Sequence, residues 1–328
     1  MTLQFRLPAI NDVRDAARRI APYAARTPLL ESAFLNEKLG TRVLLKAEVL
    51  QRTGSFKFRG AYNCISRIDR GAFPGGVVAC SSGNHAQGVA EAARLCGIPA
   101  VIVMPADAPA IKVERTRRSG AEVVHYDRYT EDREAIAAAI AEKRRAEFVA
   151  PFDNPDVIAG QGTVGLEIIE QAEAAGADLK AVLVPCSGGG LASGISLAVN
   201  DALPDCNVYT IEPAGFDDFA RSLKSGEPTG NDPSARSICD ALLMQHPGEL
   251  TFAIGRERLA GGIAVPDEDT RAAVAFAFNE LKLVVEPGGA IALAALLSGR
   301  YKLSGQPVAI VLSGGNIDPG LLIDVLGK

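Results

Sequence analysis

The sequence predicts an α/β protein made of two doubly wound parallel-sheet units, the smaller inserted in the larger, with a ligand in the cleft between them. Short apolar runs alternate with longer amphipathic stretches, the pattern of parallel strands joined by helices. The alternation occurs twice, over 77–150 and again from 181 onward. Many of the 33 glycines fall in clusters between the apolar runs, where such a fold turns. At 328 residues the chain is long enough for two cores. The predicted division is 1–70 with 153–328 for the larger unit and 71–152 for the smaller.

The first predicted helix, over 8–19, has Ile10, Val13, Ala17 and Ile20 spaced for one apolar face. Thr27-Pro28-Leu29-Leu30 is expected to be extended, because a residue before proline is pushed out of the helical region. Ser32 caps a short helix that Gly40 ends, and 42–46 reads as a strand. A helix over 59–69 follows, then a break at Gly71-Ala72-Phe73-Pro74-Gly75-Gly76. The smaller unit reads as strands over 77–80, 100–104, 122–126 and 147–150, with helices over 84–96, 109–119 and 131–145. After Asn154-Pro155 a long helix runs to 175. Strands are expected over 181–184, 208–211 and 308–312, and helices over 267–282 and 289–298. Residues 223–262, rich in Gly, Pro and Asp, give no clear element.

Composition narrows the class. A net charge of −5 does not suit a nucleic-acid surface, and the basic run Lys112 to Arg118 reads as a solvated helix face. The longest apolar-and-glycine run, 288–297, is too short to span a bilayer. Six cysteines (Cys64, Cys80, Cys96, Cys186, Cys206, Cys239) show no C-x-x-C pair, and no secretory signal opens the chain. Reduced thiols in a cytoplasmic protein are expected. His85, His125 and His246 are scattered and suggest neither a zinc site nor a catalytic triad.

One stretch holds unusual chemistry: Thr53-Gly54-Ser55-Phe56-Lys57-Phe58-Arg59-Gly60-Ala61. Apolar neighbours disfavour an ammonium ion and lower its pKa, which turns a lysine into a Schiff-base former or general base. Alone, the stretch equally suits a solvated lysine between two core phenylalanines. Three strand-to-helix junctions change the balance: Ser81-Ser82-Gly83-Asn84-His85, Ser187-Gly188-Gly189-Gly190-Leu191 and Ser313-Gly314-Gly315-Asn316. Helix N-termini present unpaired N–H groups and partial positive charge, and glycine lets an anion approach the backbone. Each could be an ordinary turn, but all three follow strands and lie at the same end of those strands. A dinucleotide loop, with Glu212 as its acidic residue, would need glycine where Ser193 stands. A single phosphate fits better. Glu212, Asp217 and Asp218 form an acidic cluster that suits Mg²⁺ or Ca²⁺ or is merely solvated.

Taken together, 53–61, 81–87, 187–190 and 312–316 resemble fold-type II pyridoxal-phosphate enzymes of the threonine dehydratase and serine racemase group, over nearly the whole chain. The resemblance implies pyridoxal 5′-phosphate held by Lys57, with Phe56 against its ring and Asn84 on its phenolic oxygen. Ser187, Gly188, Gly189, Gly190 and Leu191 would cradle the phosphate, although family loops often have glycine where Ser187 stands. Ser313 would meet the pyridine nitrogen as a hydroxyl, which suits β-elimination. Lys57 would take the α-proton, while Ser81, Ser82, Gly83, Asn84 and His85 hold the substrate carboxylate.

The implied reaction is a threonine or serine dehydratase: a β-hydroxy amino acid becomes a 2-oxo acid and ammonia. Ser82 matches the second acid/base of serine racemases, which keeps racemisation open. Glu212, the Phe216 carbonyl and Asp218 match the racemase-type metal site for Mg²⁺ or Ca²⁺. Arg133 lies where a distal substrate carboxylate could be met, which keeps 3-hydroxyaspartate dehydration open. A homodimer without a C-terminal regulatory domain is expected. From a different class, a nicotinamide-dependent oxidoreductase rests only on the near-miss at Gly188 to Gly194.

Overall fold

The computed structural model describes residues 6–108, 110–127 and 129–327. In chain order its strands are β1 (Leu29–Glu31), β2 (Val43–Lys46), β3 (Val77–Cys80), β4 (Ala100–Pro105), β5 (Glu122–Tyr126), β6 (Glu147–Phe148), β7 (Ala181–Pro185), β8 (Asn207–Pro213), β9 (Gly261–Val265) and β10 (Val308–Val311). The helices of the first half are α1 (Ile10–Ile20), α2 (Ala33–Leu39), α3 (Lys57–Ile65), α4 (Asn84–Cys96), α5 (Ala110–Arg118), α6 (Arg133–Arg144) and α7 (Pro155–Ala174). Those of the second half are α8 (Gly190–Ala202), α9 (Asp218–Ser225), α10 (Glu249–Arg258), α11 (Asp267–Asn279), α12 (Pro287–Leu297) and α13 (Pro319–Leu326).

The strands form two sheets, ordered β1-β2-β10-β7-β8-β9 and β5-β4-β3-β6. All pairings are parallel except β1 with β2. The four-stranded sheet lies wholly within 71–152, and the six-stranded sheet wholly outside it. Central strands β2, β7 and β10 are buried throughout, because helices cover both faces of a parallel sheet. Alternation then sorts their side chains: Leu45, Leu183 and Ile310 enter one core cluster, and Leu44, Val182 and Ala309 the other. The smaller sheet divides likewise, Val77 and Ala79 on one face and Val78 on the other. Helix α12 has no polar face and is buried along its length, as a core helix must be.

Local chemistry sets several boundaries. Ser32 accepts the Leu35 N–H at 3.3 Å to open α2, and Gly40 closes it with a φ of 66°. Helix α3 is joined to α7 by bare backbone: a Cβ on Gly160 would lie 2.6 Å from the Gly60 Cα. The same applies where α7 meets α8, since a Cβ on Gly162 would lie 2.7 Å from the Gly194 carbonyl oxygen.

Three differences from the sequence reading matter. Helix α3 begins at Lys57 rather than at 59, so the lysine stands in the first helical turn. Strand β6 stops at Phe148, two residues short of the predicted end, and Pro151 follows in the connection. The unassigned 223–262 segment holds α10 and the start of edge strand β9. Gly261 and Gly262 open that strand and mask it, since glycine carries no strand signal. The predicted helix start at Pro109 lies outside the described residues.

Candidate active site

Lys57 is fixed at its root by the loop after β10. The Phe56 N–H donates to the Ser313 carbonyl at 3.1 Å, and Ser55 bridges to Gly314. The ammonium donates to the Pro151 carbonyl at 2.7 Å and lies 5.2 Å from the Phe56 ring centre. Burial pushes its pKa down from 10.5 to about 8, against the opposing charge of Glu286. The side chain keeps part of its surface open, to a cavity of about 740 Å³. That cavity gathers all three small-residue junctions, which lie beyond the carboxyl ends of β3, β7 and β10.

At the first junction, α4 starts after Gly83, and no side chain caps it. The Ser81 hydroxyl accepts the Gly83 N–H at 3.1 Å, and the Ser81 N–H donates to the Val103 carbonyl at 3.1 Å. Of the five amides expected to hold a carboxylate, two are therefore engaged within the protein. Those of Asn84 and His85 belong to the first turn of α4, which leaves them without intrahelical partners. Ser82 lines the cavity and is not the cap of α4. His85 Nε2 lies 2.9 Å from the Val149 carbonyl, which can only accept, so Nε2 carries the proton. Burial, aided by the Lys57 charge, holds this imidazole down to about 3, so it stays neutral.

Sequence reasoning missed two residues here. Asn84 donates to Glu286 Oε1 at 2.6 Å and accepts from Asn316 Nδ2 at 2.8 Å. Burial and then Asp240 push the Glu286 carboxyl up to about 7, against Asn84, Lys112 and Lys57. The available signal for Glu286 was an acidic residue directly before Pro287-Gly288-Gly289 at a helix start. Asn316 stood in a quoted junction without a role.

At the second junction Gly189, with a φ of +92°, precedes α8, whose N-terminus has no side-chain cap. A Cβ on Gly188 would lie 2.5 Å from the Phe152 ring, and one on Gly189 would lie 2.3 Å from the Phe219 ring. These two positions present backbone without side chains, because a Cβ would run into the rings. The Ser187 hydroxyl accepts the Met244 N–H at 3.3 Å, and Leu191 completes this wall. At the third junction Ser313 is 5% exposed and borders the cavity. Arg133, the first residue of α6, borders it from the smaller sheet, 3.8 Å from the exposed Glu134 carboxylate.

An amine with a depressed pKa, an uncapped glycine-lined helix N-terminus, a side-chain amide and a buried hydroxyl face one cavity. This donor set fits a phosphorylated aromatic aldehyde. A sequence profile of pyridoxal-phosphate dependent enzymes matches residues 20–314. The chain belongs to this pyridoxal-phosphate dependent family. The L-threo-3-hydroxyaspartate ammonia-lyase of a Pseudomonas species is 46% identical over 95% of this chain and 96% of its own. The serine racemase of Schizosaccharomyces pombe is 39% identical over 95% of each chain. The crystal structure of the T.th. threonine deaminase superposes with a TM-score of 0.89 at 46% identity, over 95% of this chain and 99% of that one. Membership in the pyridoxal-phosphate dependent family supersedes the nicotinamide reading. Ser193, where a dinucleotide loop needs glycine, is buried and donates to the Thr251 carbonyl at 2.8 Å.

The predicted metal residues lie apart from the residues that line the cavity. Glu212, in β8, accepts the Phe219 and Ala220 N–H groups at 2.9 and 2.8 Å and so holds the start of α9. Asp218 is 1% exposed; Asn231 donates to its Oδ1 at 2.6 Å, while Oδ2 has no partner. Burial pushes the Asp218 carboxyl up to about 6, and burial with the Asp218 charge raises Glu212 further. No group of three His, Cys, Asp or Glu gathers as a metal site among the described residues. No described helix is long and apolar enough to cross a membrane.

Proposed function

We propose that this protein is an ammonia-lyase that takes a β-hydroxy amino acid to a 2-oxo acid and ammonia by α,β-elimination. The observation that carries the reading is Lys57: a desolvated amine in a cavity wall shared with the glycine loop, Asn84 and Ser313. Bound there, pyridoxal phosphate supplies the electron sink for the α-carbanion. Lys57 would hold it, with Phe56 against its ring, Asn84 and Ser313 on its polar edge, and the amides of 187–191 on its phosphate. Lys57 Nζ, its pKa brought down to about 8 by burial, takes the α-proton. The N-terminal amides of α4 hold the α-carboxylate, the β-hydroxyl departs as water with the proton that Lys57 took, and the released enamine hydrolyses to the 2-oxo acid and ammonia.

Within this class, the cavity favours 3-hydroxyaspartate over L-threonine and L-serine, the sequence's leading expectation. Arg133 places a cation in the same wall, the Pseudomonas relative bears a matching name, and threonine and serine have no second carboxylate to use it. Incubation of the purified protein with L-threonine, L-serine and both 3-hydroxyaspartate diastereomers, with 2-oxo acid and enantiomer scored together, tests the reading. The highest kcat/KM is expected with a 3-hydroxyaspartate. Absence of 2-oxo acid from every substrate overturns the lyase assignment. With the reading go a cytoplasmic location, which the six free cysteines suit, and a homodimer.

Ser82 is assigned as a second proton donor, supported by its place in the cavity wall and its absence from the α4 cap. Ser82→Ala should abolish racemisation and any D-serine elimination while keeping most L-substrate dehydration. Chiral analysis of the recovered substrate decides; equal losses of both activities would reduce Ser82 to a structural role.

Glu212, the Phe216 carbonyl and Asp218 are assigned as a Mg²⁺ or Ca²⁺ site, supported by the unpartnered Asp218 oxygen and by burial that raises both carboxyls, a cost that a bound cation would offset. In metal-free protein the raised Asp218 carboxyl makes stability fall as pH rises from 3.8 through about 6. Binding to the native state adds stability by mass action, about 2.7 kcal/mol at a hundredfold excess over Kd. Chelation should therefore lower Tm, either ion should restore it, and Asp218→Asn should remove the response. An unchanged Tm in chelated wild-type protein refutes the site.

A further inference from the structure

Resting on the lyase reading, we infer that Lys112 is a second specificity-determining cation for a dicarboxylic substrate, held in reserve by Asp240. Lys112 lies on α5, beside the smaller sheet; Asp240 lies in a short 3₁₀ turn of the 153–328 segment, and both border the active-site cavity. Their charged atoms are 2.9 Å apart, so the pair crosses the cavity from one unit to the other.

The carboxylates of the wall differ in how firmly they are held. Asp153 accepts the N–H groups of Glu249, Leu250 and Thr251 and is committed to the start of α10. Glu286 is buried and bonded to Asn84. Asp240 is 59% exposed, whereas its partner Lys112 is only 14% exposed. An ion pair with so wet an anion is weak and exchangeable, while the cation it covers is sheltered. A carboxylate arriving inside the cavity meets Lys112 in drier surroundings than Asp240 does, so it can replace Asp240 as the partner. Together with Arg133, which Glu134 approaches only to 3.8 Å, Lys112 gives the smaller unit two cations facing the cavity. Asp240 thus acts as an internal stand-in for the distal carboxylate. A monocarboxylic substrate leaves the Lys112–Asp240 pair intact, and a dicarboxylic one exchanges it.

The test uses holoenzyme and two variants. Lys112→Gln should lower selectivity for 3-hydroxyaspartate over L-threonine by about tenfold or more, chiefly through the dicarboxylate KM, because a charge-assisted bond is lost. Asp240→Asn should change selectivity in the opposite direction, by about two- to fivefold, because the competitor is neutral. Selectivity unchanged in Lys112→Gln, or reduced in Asp240→Asn, overturns the inference. Succinate inhibition keeps the test independent of which substrate is turned over: its Ki should rise in Lys112→Gln and fall in Asp240→Asn. If wild-type protein ignores 3-hydroxyaspartate yet succinate follows this pattern, the substrate preference fails and the Lys112 assignment stands.

Discussion

Lys57→Ala is expected to lower kcat/KM for every substrate by about four orders of magnitude while leaving the fold intact. A positioned general base contributes about 10²- to 10⁴-fold, and loss of the covalent hold on the cofactor adds to this. The variant should bind pyridoxal phosphate through the glycine loop but lose it, and its visible absorption, on dialysis. Stability should not suffer. The Lys57 ammonium is charged at a site where desolvation outweighs the Glu286 attraction, so its removal relieves a net penalty and leaves the Pro151 carbonyl without that donor. In the apoprotein, the native pKa of about 8 lies below the ordinary 10.5, so stability should rise with pH between those values. Capture of added cofactor should quicken as pH rises through about 8, where the neutral amine accumulates. Turnover within tenfold of wild type would place the base elsewhere.

Arg59→Met is expected to cost about 3–5 kcal/mol and lower Tm by on the order of 10 °C. Arg59 and Glu48 are 0% exposed, and the guanidinium donates to both Glu48 oxygens at 2.8 Å. It also donates to both Glu167 oxygens at 2.7 and 2.9 Å, and Lys46 reaches Glu167 at 2.6 Å. Without Arg59, the Glu48 carboxylate would keep only the Thr27 hydroxyl, an expensive state for a buried charge. Arg59→Met with Glu48→Leu should therefore be less destabilised than Arg59→Met alone, as thermal melts can show. If the two losses merely add, the pairing is not what matters. Burial pushes the Glu167 carboxyl up, but Arg59 and Lys46 outweigh it and leave its pKa lowered from 4.5. Its stabilisation is present above that value and disappears as acid titrates it below.

These two residues show what a sequence reveals. Lys57 was legible because its surroundings are local: two flanking phenylalanines, and turn residues at three strand ends whose common side follows from parallel topology. Helix α4 and its flanking strand were legible for the same reason, with Gly97 closing the helix at a φ of 65°. Arg59 read only as a helix start. Its partners stand 11 and 108 positions away, and no periodic pattern links residues that distant. Glu286 and Asn84, 202 positions apart, were separated by the same distance problem. Ser82 was ambiguous because a serine before a helix is a cap by default; only the actual backbone angles assign that place to Gly83.

The bare backbone seam between α3 and α7 has a mechanical consequence. Two helices whose side chains interlock can slip by exchanging rotamers, but where Gly160 rests on Gly60 no rotamers are available to exchange. That seam behaves as a bearing surface with one seating. The reactive amine rides three residues before Gly60 on the same helix and so keeps its address with respect to the long helix α7. The far rim of the cleft is joined differently: there α5 reaches across through side-chain tips, Lys112 to Asp240 and Arg115 to Asn316.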